Sequence, residues 1–178
     1  MDRLVGKPAP DFKLNAVTGD GNDFIEVKLE DYKNKWLIMF FYPLDFTFVC
    51  PTEITGFSKH YEEFKKLDSE ILAVSCDSHY SHQAWIKLNP QEGGLGKIDF
   101  PIASDLTKDC SEKYGVLIPE EGISLRGLFI IDPEGIIKYS VIHDLNIGRS
   151  VDETLRVVKA LQSGGLCPID WQQGDPTL

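Results

Sequence analysis

Three short apolar runs limit what this chain can fold into. "WLIMFF" (36–41), "EILAVSC" (70–76) and "GLFIID" (127–132) are continuous rather than alternating, as strands covered on both faces are. Between the first two, Ile54, Phe57, Tyr61 and Phe64 recur at helical spacing, which predicts a helix from about Pro51 to Leu67. A shorter helix is expected over 79–88. Another is expected over 107–114, with Leu106, Cys110 and Tyr114 on one face. "DPEG" (132–135) has turn chemistry, so 128–131 and 136–142 read as a hairpin. Ser150 and Glu153 predict a capping box for a last helix, which Gly164 and Gly165 end. The expected fold class is α/β, a central mixed sheet flanked by helices. Residues 1–163 read as one domain and 164–178 as a tail with little packing of its own.

Charge excludes one class of partner. The chain carries 18 basic and 28 acidic residues, a net charge of −10. A nucleic-acid phosphate backbone needs a basic face, and no lysine/arginine cluster supplies one. No basic stretch with a following apolar run opens the sequence, and no run is long enough to span a bilayer. The expectation is a cytoplasmic chain without membrane attachment, whose thiols are free. Its cysteines are Cys50, Cys76, Cys110 and Cys167, with no C-x-x-C pair to begin a zinc site. "GGLGK" (93–97) lacks P-loop spacing and reads as a loop.

The stretch "FYPLDFTFVCPTE" (41–53) concentrates the chemistry. Proline is tolerated in a helix only in its first turn, so Pro51 sets Cys50 at a helix start. Free backbone N–H groups and the positive end of the helix dipole gather there and favour an anion, and the thiolate is the reactive form of cysteine. Thr47 lies one turn upstream, within expected reach of the sulfur, while Pro43, Phe46 and Phe48 are expected to wall the pocket. An ordinary thiol of pKa ~8.5 is about 3% ionised at pH 7. Complete ionisation therefore gains at most ~30-fold, about 2 kcal/mol. A further cation must stabilise charge developing on the attacked group, and Arg126, at the mouth of the run 127–132, is the candidate. A buried structural thiol is the competing reading of Cys50, and the residues alone leave both open. Cys76 and Cys110 read as core thiols. His60, His79, His82 and His143 read as surface or capping side chains rather than as a partner base for Cys50.

Pro43-Leu-Asp-Phe-Thr47-Phe-Val-Cys50 resembles the P-x-x-x-T-x-x-C motif of the peroxiredoxins, and "FYPLDFTFVCPTEI" resembles their typical 2-Cys group, of the alkyl hydroperoxide reductase C type. "RGLFIID" (126–132), "GRSVDETLR" (148–156) and "CPIDW" (167–171) match further blocks in order, so the resemblance runs from about Leu4 to Trp171. It implies a thioredoxin-like fold and a cofactor-free, metal-free thiol peroxidase. Cys50 is then the peroxidatic cysteine, and Thr47 and Arg126 activate it and hold the peroxide. Pro43 shields the sulfur, and Glu53 and Arg149 orient Arg126. Cys167 matches the resolving cysteine, which in the family forms an intersubunit disulfide. The resemblance further implies a homodimer or a decamer, and recycling by thioredoxin or a flavoprotein-type disulfide reductase. A holdase-type chaperone oligomer is the alternative. A general thiol–disulfide oxidoreductase is disfavoured by the lack of C-x-x-C. The sequence given ends eleven residues past Cys167, without the C-terminal helix of peroxide-sensitive members, which implies resistance to overoxidation.

Overall fold

The structure, a computed structural model, describes residues 3–178, so the first two residues of the expected domain lie outside the described residues. In chain order the strands and helices are β1 (Lys13–Val17), β2 (Phe24–Lys28), β3 (Trp36–Phe41), α1 (Cys50–Lys59), α2 (Tyr61–Lys66), β4 (Ser69–Ser75) and α3 (His79–Lys87). They continue with β5 (Ile102–Ser104), α4 (Asp109–Lys113), β6 (Leu117–Ile118), β7 (Ile123–Ser124), β8 (Arg126–Ile131), β9 (Ile137–His143) and α5 (Val151–Ser163). Seven strands form one sheet in the order β2-β1-β5-β4-β3-β8-β9. β3, β4 and β5 run parallel, while the neighbours on either side are antiparallel. The three apolar runs are the sheet's centre, β4-β3-β8, as strands buried on both faces should be.

Alternate side chains of β3 feed two cores. Ile38 and Phe40, with Tyr42 just beyond, join Ile54, Phe57 and Phe64 of α1 and α2, Trp85 of α3 and Val158 of α5. Leu37, Met39 and Phe41 point the other way, to Phe12, Cys110, Tyr114 and Phe129. Phe40 stacks on Phe57 with centroids 4.8 Å apart, fixing α1 against the sheet.

Several local expectations are corrected. The helix over 51–67 is two helices. His60 leaves helical geometry at φ −102°, ψ 8°, and its Nδ1 lies 2.9 Å from the Gly56 carbonyl oxygen, a side-chain cap on the end of α1. The apolar period runs through this break, so it left no mark on the pattern. β1, β2 and β5 were not anticipated, because they are short and lie towards one edge of the sheet. Leu106 is 61% exposed while Cys110 and Tyr114 are buried, because α4 begins only at Asp109. Only half of the expected capping box forms. Ser150 Oγ accepts from the Glu153 N–H, but the Glu153 carboxylate turns to Arg156 at 2.6 Å instead. The segment after α5 is packed in part. Trp171 is 5% exposed, its carbonyl accepts from Arg156, and its indole donates to the Asp175 carbonyl. No helix among the described residues is long and apolar enough to cross a membrane.

Candidate active site

Cys50 is the first residue of α1 and Pro51 the second. The proline's missing N–H costs nothing at this position, and its ring fixes the first turn. The Cys50 side chain is fully buried. Sheet register supplies its neighbour. β3 and β8 pair antiparallel with Phe40 opposite Leu128, and two residues further on this brings Arg126 beside the chain that leaves β3 for α1. Arg126 Nη1 lies 3.4 Å from Cys50 Sγ and 2.7 Å from Glu53 Oε2, and its Nε donates to the Leu145 carbonyl at 2.7 Å.

Glu53 lies one turn along α1 from Cys50 and is gripped from a second side. Arg149 donates to it through its backbone N–H and Nε, both at 2.8 Å to Oε1, and through Nη2 at 2.9 Å to Oε2. Arg149 Nη1 also donates to the Phe41 and Gly127 carbonyls at 2.7 and 2.6 Å. A side chain at 127 would crowd this spot, because a Cβ there would stand 2.5 Å from Val116. Burial alone would raise the pKa of Glu53. The charge and hydrogen bonds of Arg149, with Arg126 behind, override it and hold the carboxyl below the ordinary glutamate value of 4.5. Two guanidiniums against one carboxylate leave one positive charge uncompensated, and a thiolate at Cys50 closes that count. An anionic sulfur here meets both a guanidinium N–H and the amino end of a helix.

The other expected site residues divide. Pro43 is buried, between β3 and α1. Thr47 is half-buried, and its hydroxyl donates to the Leu44 carbonyl at 2.9 Å, so the expected bond to sulfur gives way to a local turn bond. Phe48 does not wall the pocket, being 93% exposed, and Phe46 is half-exposed with its ring against Trp85. Cys167 is partly buried in the segment after α5, with Sγ 3.3 Å from Ser163 Oγ and 3.7 Å from the Ala160 carbonyl oxygen, both on the last turn of that helix. All four cysteines are free thiols. Burial pushes the pKa of Cys76 up and that of Cys110 far up, which disfavours the reactive thiolate at both. No cluster of His, Cys, Asp and Glu among the described residues could hold a metal ion.

One buried group contradicts its expected place. His82 is fully buried, not a surface or capping residue, and faces Asp45 with Nδ1 2.8 Å from Oδ2. The signal for it was Asp45, the one acid in the otherwise apolar run 40–50.

The AhpC/TSA family profile matches residues 5–140. The chain belongs to the AhpC/TSA family. It is 71% identical to a putative peroxiredoxin in the rubredoxin operon of Clostridium pasteurianum, over the whole of both chains. It is 55% identical to the chloroplastic 2-Cys peroxiredoxin BAS1 of Hordeum vulgare, covering 98% of this chain and 85% of that one. Among solved structures, reduced 2-Cys peroxiredoxin of Plasmodium vivax superposes with a TM-score of 0.96 at 44% identity, covering 99% of this chain and 93% of that one. This AhpC/TSA protein is therefore a peroxiredoxin of the 2-Cys type, a peroxidase on a thioredoxin-like fold.

Proposed function

We propose that this peroxiredoxin reduces hydrogen peroxide and organic hydroperoxides at Cys50. The observation that carries the reading is the Arg126 guanidinium 3.4 Å from a fully buried sulfur at the amino end of α1. The Cys50 thiolate attacks the terminal oxygen of the hydroperoxide. The S–O bond forms, the O–O bond breaks, and the leaving oxygen takes a proton to depart as water or an alcohol. Sulfur is oxidised to the sulfenic acid and the peroxide is reduced. Arg126 stabilises charge on the oxygens as the bond breaks, Thr47 and Pro43 shape and shield the pocket, and Glu53 and Arg149 hold Arg126 in aim.

Cys167 of a second copy then condenses with the sulfenic acid, releasing water and forming an intersubunit disulfide. Closure needs Cα atoms within about 7 Å. A fully buried Cys50 reaches that only if the first turn of α1 unwinds and the segment 164–178, which carries Cys167, shifts. A dithiol reductase, thioredoxin or a flavoprotein-type enzyme, restores the two thiols in the cytoplasm. The working unit is a homodimer, which a decamer repeats.

Cys50→Ser abolishes peroxide consumption in a ferrous-oxidation assay. Cys167→Ser consumes one peroxide per subunit and gives no covalent dimer on a non-reducing gel. A covalent dimer that persists in Cys167→Ser makes Cys76 or Cys110 the resolving partner and overturns the assignment of Cys167.

A further inference from the structure

The connection between β3 and α1 carries Pro43 and Thr47 and leads into Cys50. Its geometry is unusual at Phe46, which has a left-handed backbone with φ 56° although it is not glycine. Such a conformation is strained and persists only where its surroundings over-determine it. The residue before it, Asp45, is what the surroundings grip.

Three parts of the fold meet at Asp45, and a fourth holds His82. The Tyr42 hydroxyl, at the end of β3, donates to Oδ1 at 2.7 Å. His82 on α3 brings Nδ1 to 2.8 Å from Oδ2. The other ring nitrogen of His82 lies 3.2 Å from the Ala103 carbonyl oxygen on β5. The Asp45 backbone N–H donates to Asp77 Oδ2, beyond β4, at 3.0 Å, and the Ser75 hydroxyl donates to that same oxygen at 2.7 Å. A carbonyl only accepts, so His82 Nε2 carries a proton and Nδ1 is the nitrogen that faces the carboxylate. Tyr42, Asp45 and His82 are all buried, and both Asp45 oxygens are engaged. A polar network left half-satisfied at such depth would be costly, and this one is complete.

We propose that His82, Asp45 and Tyr42 are positioning residues for the peroxidase reaction. As a clamp they hold the left-handed turn at Phe46 and so fix where Thr47 and Pro43 stand relative to the Cys50 sulfur. This inference rests on the peroxidase reading above. Among the described residues the hydrogen bond to the Cys50 sulfur comes from Arg126 and not from the clamp, so the clamp acts on peroxide placement and not on the thiol itself. Orientation effects are steep, with a displacement of 1 Å able to cost ~100-fold in rate.

The test separates placement from thiol reactivity. The second-order rate constant of the reduced protein with hydrogen peroxide is measured by stopped-flow tryptophan fluorescence. Alkylation of Cys50 by iodoacetamide, which needs no peroxide site, is followed by peptide mass on the same samples. His82→Gln reaches the Ala103 carbonyl but leaves Asp45 Oδ2 without its partner, whereas His82→Asn puts an amide N–H where Nδ1 was. The expected result is a peroxide rate constant at least about tenfold lower for His82→Gln and within about threefold of the parent for His82→Asn, with alkylation within about threefold in both. The clamp is overturned if His82→Gln keeps the parental rate constant, if the two variants fall equally, or if alkylation falls as far as the peroxide reaction. Tyr42→Phe removes one hydroxyl and serves if the His82 variants do not fold. Its peroxide constant should drop with alkylation unchanged, and an unchanged peroxide constant overturns the proposal. A parent protein that does not oxidise at Cys50 defeats the peroxidase reading instead, before any variant is compared.

Discussion

At the scale of residues, Arg126 has to satisfy three acceptors at once. Its Nε serves the Leu145 carbonyl, and its Nη1 serves Glu53 and the Cys50 sulfur. A planar fork does this from one fixed position, and a lysine ammonium on a flexible stem does not. Arg126→Lys therefore keeps the charge but loses the aim. Its peroxide rate constant should fall about 100-fold, the scale of removing one preorganised donor. Stopped-flow oxidation of the reduced variant checks this, and a loss under threefold would show that charge alone suffices. Cys76 and Cys110 mark the opposite case. Both are thiols, yet burial raises their pKa values, so depth in the core works against the thiolate there.

At the scale of elements, α1 and α5 start by different devices. α1 begins with Cys50 and Pro51, and no side chain caps it; the Thr52 and Glu53 N–H groups donate to the Val49 carbonyl, so this end offers the sulfur its helix dipole. α5 has an ordinary cap, Ser150 Oγ accepting from the Glu153 N–H. Ser150→Ala should destabilise the protein by about 1 kcal/mol. Urea unfolding would show this as a lower midpoint with unchanged slope. An unchanged midpoint would mean that helix packing through Leu155 and Val158 fixes this terminus without help. The helix pattern, Pro51, the glycines after α5 and the "DPEG" turn were all legible, because each signal lies within one element. The break at His60 was not, because a side-chain cap on Gly56 leaves the apolar period intact.

At the scale of the whole molecule, Glu53 ties α1 to Arg126 at the start of β8 and to Arg149 just before α5. Its pKa is lowered on folding, so its stabilisation is complete above the ordinary value of 4.5 and is lost as pH falls through the lower folded value. Glu53→Gln should be less stable at pH 7 by about 3 kcal/mol, because two buried guanidiniums lose their counter-charge. It should also lose less stability on acidification from pH 5 to pH 3 than the parent does. Unfolding midpoints across that range check the sign, and parallel acid slopes would assign the loss to other carboxylates. The sequence by itself determined the α/β class, the central strands, and the place of Cys50 at a helix start, since those depend on residues within a few positions of one another. Only the tertiary structure decided that Arg126 meets Cys50 across 76 residues and His82 meets Asp45 across 37. Strand register and the crossing connections bring such partners together, and no local pattern encodes which distant side chain will fill a given gap.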